Sequence, residues 1–365
     1  MKKSVPLMAG MLFCSVLSFS QAESMTAAEI RYRDSITKLN QSNAAIAASQ
    51  EAYNKGIELF NQKNFKEAIA SFSKSIASDP NFTAAYYNKG VAENEAELYQ
   101  DALATFNTLI GKQKSYSKAY FQRGRAYQGL SDYLKSEKDY EESIKLDANN
   151  PKAYYNYGTL KFLQQDYNAA IKYFTKSIEL DPSGPMAYND RGSCYRMLEN
   201  YPKAIEDYEA ALRKNPNLAF VLNNVGTTKK KMKDYAGAMA AFNRAISVDA
   251  NFYLAYNNRG VTLLEKGSLD DAIKDFEKAL SINPKYAPAA SNLSGIYFKR
   301  KNFKKAEELA TKAINADPNY ASAYVNRGMA REMLRNMDDA CSDWKKASDL
   351  GSTEGKKCHS GNCSN

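Results

Sequence analysis

The sequence predicts an all-α chain: a solenoid of nine consecutive helix-turn-helix units. Three observations carry that prediction. Gly56, Gly90, Gly124, Gly158, Gly192, Gly226, Gly260 and Gly328 fall at a spacing of 34 residues or a multiple of it, with Ser294 in the one gap. Twelve residues later stand Ala68, Ala102, Ala170, Ala204, Ala238, Ala272, Ala306 and Ala340, with Ser136 as the exception. Four residues further comes a large ring, Phe72, Phe106, Tyr140, Phe174, Tyr208, Phe242, Phe276 and Trp344, replaced once by Ala310. A fixed period of this length marks a stacked array, each unit burying its apolar face against its neighbours. An i, i+4 pair points one way from a helix, so the small and large columns mark where two helices approach closely.

The elements follow in order. Lys2 and Lys3, an apolar run from Val5 to Phe19 and Ser20-Gln21-Ala22 read as a secretory leader over 1–22. The run is short for a membrane span, which needs about 20 residues, and the bulky Phe13 before Cys14 does not fit a lipid-attachment site. Ile30, Ile36, Leu39 and Ile46, set among Ala and polar residues, indicate a leader helix or flexible segment over 23–48. Nine repeats then start at Ser49, Thr83, Ser117, Pro151, Pro185, Ala219, Tyr253, Ala287 and Ala321, the last closing at Glu354. Pro80, Pro182, Pro216, Pro284 and Pro318 end second helices, because proline cannot continue the hydrogen-bond ladder. A Cys-containing tail, 355–365, is too short for another repeat.

These columns resemble those of the tetratricopeptide repeat family, over Ser49 to Glu354, and the stretch AYNDRGSCYRMLENYPKAIEDYEAALRKNP from Ala187 to Pro216 shows the match by itself. The resemblance implies a right-handed superhelix of antiparallel helix pairs, first helices lining a concave groove and second helices forming the convex face. Lys229 and Arg331 depart from the column held by Tyr127, Tyr195 and Tyr297, and can bury their stems. Glu93 in the same column has no such explanation.

One alternation comes from the residues alone. Repeats three, five, seven and nine carry Arg123, Arg191, Arg259 and Arg327 just before the Gly column, and Asp139, Asp207, Asp275 and Asp343 just before the large ring. From the fourth onward the even repeats pair Tyr157 with Tyr173, Val225 with Ala241 and Leu293 with Leu309. Matched substitution points to contact, so four partly buried Arg–Asp pairs within repeats are expected; the alternative is two independently exposed charges.

The groove should be lined by the column two residues before each Gly: Asn54, Asn88, Gln122, Asn156, Asp190, Asn224, Asn258, Asn292 and Asn326. Asn offers a donor and an acceptor. A ladder of them can hold an extended backbone, as in the similar Asn ladder of O-linked N-acetylglucosamine transferase, or it can satisfy local helix groups. Beside it Tyr53, Tyr87, Phe121 and Tyr155 line the first four repeats and should make that half the stickier one; packing is the other use of such rings. Tyr, Phe and Val stand where the family's carboxylate clamp requires Lys, so that clamp is not expected.

Cys341 is expected to pair with Cys363 or Cys358 and pin the tail over the open end of the last repeat; the alternative joins Cys358 to Cys363. Cys194 falls on the core side of a first helix. A leader followed by an even number of cysteines suits an oxidising, periplasmic or secreted setting, and envelope association is compatible with it. The single histidine, His359, excludes His-based triads and two-His metal centres in the repeats, and the isolated glycines form no phosphate loop. No cofactor, metal or catalytic residue is expected. The net charge of +9 is spread rather than clustered, and export argues against nucleic acid. The expected function is an exported scaffold or adaptor holding protein or peptide partners in its groove. The alternative is an envelope-surface organiser acting through a basic convex face or by self-assembly.

Overall fold

The computed structural model describes residues 26–363, and every element among them is a helix. The expected leader over 1–22 lies outside the described residues. The chain divides into two units, one ending at Lys112 and one beginning at Gln113.

The first unit holds α1 (Ala27–Asn61), α2 (Phe65–Ser78), α3 (Thr83–Glu95) and α4 (Tyr99–Lys112). The segment expected as leader helix or flexible segment is helical from Ala27 and continuous with the first repeat. Thr26 and Glu29 start it with a reciprocal cap, Glu29 Oε2 accepting from the Thr26 N–H at 2.8 Å and Thr26 Oγ1 from the Glu29 N–H at 3.4 Å.

The second unit pairs α5 (Ser117–Gly129) with α6 (Tyr133–Leu146), α7 (Pro151–Leu163) with α8 (Tyr167–Leu180), α9 (Pro185–Met197) with α10 (Tyr201–Lys214), and α11 (Ala219–Lys231) with α12 (Tyr235–Val248). It continues with α13 (Tyr253–Glu265) and α14 (Leu269–Ile282), α15 (Ala287–Lys299) and α16 (Phe303–Ala316), and α17 (Ala321–Met333) and α18 (Met337–Asp349). A last helix, α19 (Thr353–Asn362), packs on α17 and α18, so the boundary drawn at Glu354 falls inside its first turn.

Within each repeat the Gly column is where the two helices meet. A Cβ at Gly226 would stand 2.5 Å from the Phe242 ring, and one at Gly158 2.8 Å from Phe174. The two exceptions in repeat eight explain each other: Ser294 fits because the ring position there is Ala310, and its hydroxyl donates to the Ala306 carbonyl at 2.7 Å. Ser136 likewise donates to the Gly124 carbonyl at 2.8 Å, so each buried hydroxyl is satisfied by the facing helix.

Two turns alternate. At the end of second helices the residue before proline is driven out of the helical region: Asp181 takes ψ 91° and its carboxylate accepts from the Ser183 N–H at 3.0 Å. The turn inside each repeat needs one residue with left-handed backbone, occupied by Lys63, Glu97, Ser131, Gln165, Glu199, Lys233, Lys301 and Arg335 at φ between 58° and 67°, and by Gly267 at φ 82°. The second helices after it are capped by side chains such as Asp166, which accepts from the Ala169 N–H at 3.0 Å.

Candidate functional site

The residues expected in the groove are tied to one another across repeat boundaries. In the first unit Asn88 Nδ2 donates to the Tyr53 hydroxyl at 2.8 Å. In the second, the Tyr155 hydroxyl donates to Asp190 Oδ2 at 2.6 Å, Asn224 Nδ2 to Asn189 Oδ1 at 3.0 Å, and Asn258 Nδ2 to Asn223 Oδ1 at 2.9 Å. Asn292 Nδ2 reaches Asn257 Oδ1 at 3.2 Å, and Asn326 Nδ2 reaches Ser291 Oγ at 3.0 Å. Each bond joins the ladder residue to the column just before it in the preceding repeat. Where that column is Phe121 there is nothing to accept, and Asn156 turns back to the Lys152 carbonyl at 2.9 Å.

The ladder therefore meets its neighbours without using all of its polar groups. Asn224 and Asn292 each spend one N–H on the neighbouring repeat, and each keeps a second N–H and the carboxamide oxygen on a half-buried surface. Such pinned amides lose little side-chain freedom on meeting a ligand.

The aromatic column packs on the core rings, the second of the two uses open to it. Tyr53 packs on Phe72 and Phe82 with centroids at 5.8 and 4.9 Å, Tyr87 lies 6.4 Å from Phe106, and Tyr155 lies 5.7 Å from Phe174. Phe121 is buried against Tyr140, and Gln122 is buried too, accepting from Arg125 at 3.1 Å. These rings seal their own repeats, because their spacing to the Gly column turns them toward the large core ring. Asn54 is exposed and accepts from Gln50 at 2.9 Å.

A row not singled out from the sequence supplies the apolar surface. Residues four before and seven after a ladder position share its helix face. In α9 this sets Met186 and Met197, 42% and 46% exposed, beside Asp190. The position four before the ladder continues as Phe220, Leu254 and Pro288, all half-buried. The readable signal was a column of four apolar residues at the same period, immediately flanking the ladder.

Asp190 breaks the ladder with a charge. Burial raises its carboxyl above the usual range, opposed by donation from Tyr155 and from Asn189 Nδ2 at 2.8 Å.

All four expected ion pairs are made and are bidentate. Arg123, Arg191, Arg259 and Arg327 reach Asp139, Asp207, Asp275 and Asp343 with N–O distances between 2.6 and 2.8 Å. The carboxylates are buried and hold Arg123, Arg191 and Arg259 above the ordinary guanidinium range. Each guanidinium also lies over a tyrosine three residues earlier: Tyr120, Tyr188, Tyr256 and Tyr324 at 5.3 to 5.8 Å. Arg191 and Arg259 extend a third bond to the preceding repeat, to Thr175 Oγ1 at 3.0 Å and Asn243 Oδ1 at 2.7 Å. In the even repeats Tyr157 stacks on Tyr173 at 4.0 Å, and Val225 with Ala241 and Leu293 with Leu309 are buried. Glu93 finds its account here: Lys89, in the Arg column, bonds it at 2.6 Å and Thr105, in the Asp column, at 2.9 Å. Arg331 bridges Glu307 at 2.8 Å and Asp343 at 2.9 Å.

Cys341 is bonded to Cys363 with Cα atoms 5.7 Å apart, so α19 is tied to α18. Cys358 is a half-buried thiol, and burial pushes the Cys194 thiol up to about 12, which keeps it protonated and unreactive. Among the described residues no three His, Cys, Asp or Glu side chains gather as metal ligands, and no helix is long and apolar enough to cross a membrane.

A stack of two-helix repeats with a polar ladder on its first helices defines a helical-repeat solenoid of the kind that serves as a protein-interaction scaffold. Four models of the tetratricopeptide repeat match it, at 53–117 and 226–287, 117–150, 151–183 and 185–218, and 263–331. The chain belongs to the tetratricopeptide repeat proteins, whose fold is typically a non-catalytic protein-interaction scaffold. Solved structures agree on the fold. A tetratricopeptide repeat protein from Parabacteroides merdae superposes with TM-score 0.57 at 19% identity, over 69% of this chain and 100% of its own. The APC/C hetero-tetramer Cut9–Hcn1 gives 0.54 at 17%, over 84% and 60%, and PilF of Pseudomonas aeruginosa 0.51 at 21%, over 58% and 97%. No curated protein matches the chain significantly.

Proposed function

We propose that this protein is an exported, non-catalytic adaptor that holds an extended segment of a protein partner along the first helices of its second unit. One observation carries the reading: pinned amides at Asn224, Asn258, Asn292 and Asn326 run beside the apolar row Met186, Phe220, Leu254 and Pro288. An extended chain presents backbone donors and acceptors that such amides can meet, while alternate side chains settle on the apolar row. Export is supported by the leader over 1–22 and by the pairing of Cys341 with Cys363. The charge of +9 plays a secondary part, and nucleic acid is not a partner.

The test is capture of partners from an envelope extract in high salt, with the unaltered protein and with Phe220→Glu/Leu254→Glu, whose fold is checked by circular dichroism. A partner held by the first and lost by the second supports the groove. A partner held equally by both, or released by salt alone, moves recognition to charged surfaces elsewhere.

A further inference from the structure

The helix α1 carries a seam that outlasts its cover. Tyr32, Ile36, Leu39, Asn43, Ile46, Gln50, Tyr53, Ile57 and Phe60 follow one another at spacings of four and three, the a and d positions of a heptad. The last three are packed by α2 and α3 against Phe72 and Ala92. Ser49 marks where that cover stops, its hydroxyl bonded to the Ser75 carbonyl at 2.9 Å near the end of α2. Before it, residues 27–48 extend about 33 Å as helix, at 1.5 Å per residue. On that stretch Tyr32, Ile36, Leu39 and Ile46 are 70%, 39%, 55% and 54% exposed. Among its large apolar residues Ile30 alone lies off the seam. The capped start at Thr26 and the many alanines maintain a helix there that no other helix among the described residues covers.

We infer that residues 27–48 form a parallel two-stranded coiled coil with the same segment of a second copy of this chain. The seam itself selects the occupant. A heptad stripe fits another helix with the same stripe, and the repeat's own α2 and α3 cover only its far end. Asn43 occupies an a position, where parallel in-register pairing sets the two carboxamides against each other; an antiparallel partner would set each against an apolar d residue and leave it unpaired. The flanking e and g positions, Asn40, Ala47, Ser35 and Ser42, are uncharged apart from Arg33, so little repulsion opposes a like partner. Fewer than three exposed heptads make the pairing weak and concentration-dependent.

The experiment uses the full protein with Cys358→Ser to remove the half-buried thiol. Asn43→Cys, on the seam, and Gln41→Cys, on the opposite face, are oxidised mildly and run on a non-reducing gel, and the mass of the parent is followed across concentration by sedimentation equilibrium. The expected result is a covalent dimer from Asn43→Cys alone, a monomer–dimer equilibrium for the parent, and a dimer weakened about tenfold or more by Leu39→Glu/Ile46→Glu. Asn43→Leu should associate more tightly and lose its fixed stoichiometry. A parent that stays monomeric, equal cross-linking at the two positions, or an association indifferent to Leu39→Glu/Ile46→Glu overturns the proposal. So does a monomeric chain that floats with lipid vesicles, since the seam would then lie on a bilayer. None of these outcomes depends on groove binding in the second unit.

Discussion

Repeats seven and eight stand side by side in the second unit and solve the same contact with opposite chemistry. In repeat seven Arg259 and Asp275 form a bidentate pair beneath Tyr256, and Gly260 lets the Phe276 ring approach. In repeat eight Leu293 meets Leu309, and Ser294 stands where Ala310 leaves room. Neither charge nor ring is required by the fold. What is required is that the two helices change together: charge answered by charge, apolar by apolar, a missing side chain by a large one.

The harshest way to break the match is to remove half of the pair. Asp275→Ala leaves Arg259 without its carboxylate in a half-buried site and should cost about 3–5 kcal/mol locally. Replacing both, Arg259→Leu with Asp275→Leu, copies repeat eight and should cost far less. Repeat arrays need not unfold as one unit, so hydrogen exchange over α13 and α14 is the measurement, with thermal melting beside it. Equal protection in the single and double variants would show that matching is not what matters.

The steric half of the comparison is next in size. Gly260→Ala places a methyl 2.9 Å from the Phe276 ring and should cost about 1–3 kcal/mol. Ala310→Phe should be costly alone and largely relieved by Ser294→Gly. A denaturant-melt cycle should then give a coupling of about 0.5–3 kcal/mol. Additive effects would disconnect the two columns.

A third match concerns the ladder. Repeat eight has Asn292, repeat five Asp190, whose carboxyl is raised by burial. A raised folded pKa means that the folded state holds the proton more tightly, so stability falls as pH rises through it. Asp190→Asn should therefore be stabilising at neutral pH, with its amide able to donate to Tyr155 and accept from Asn189. The advantage should shrink as pH falls and vanish below the ordinary aspartate value of about 3.9. A melting difference that does not change with pH would put the carboxylate outside the buried network.

Most of the fold was legible because the columns repeat at one period, and the ion pairs were legible because two columns change together within a repeat. The exceptions carry the same information: Ser294 and Ala310 fall in one repeat, and so reveal the contact between Gly and ring. The ladder's bonds were hidden because they join one column to a different column 35 residues on, across a repeat boundary, and because Tyr and Asn serve as the same kind of partner there. Tyr53, Tyr87, Phe121 and Tyr155 could be read as sticky or as packing, and their packing over the core rings became visible only in three dimensions. The seam on α1 was obscured because Asn43 and Gln50 interrupt its apolar run, although both hold heptad positions.

The smallest effect separates the same two repeats at a turn. Repeat seven places Gly267 at φ 82° where repeat eight places Lys301 at φ 60°. A side chain in the left-handed region carries a steric cost that glycine avoids, while glycine has more chain entropy to lose on folding. The two terms are close, so Lys301→Gly should shift stability by less than about 1 kcal/mol in the stabilising direction. Gly267→Ala should destabilise by a similar amount, since alanine meets the steric term with no polar side chain to bond locally. Local exchange at α13–α14 and α15–α16 reads both. Opposite signs would show that each turn is set by its backbone angle, whereas destabilisation by both would mean that Lys301 contributes through its side chain and that the two repeats differ at this turn for a reason beyond φ.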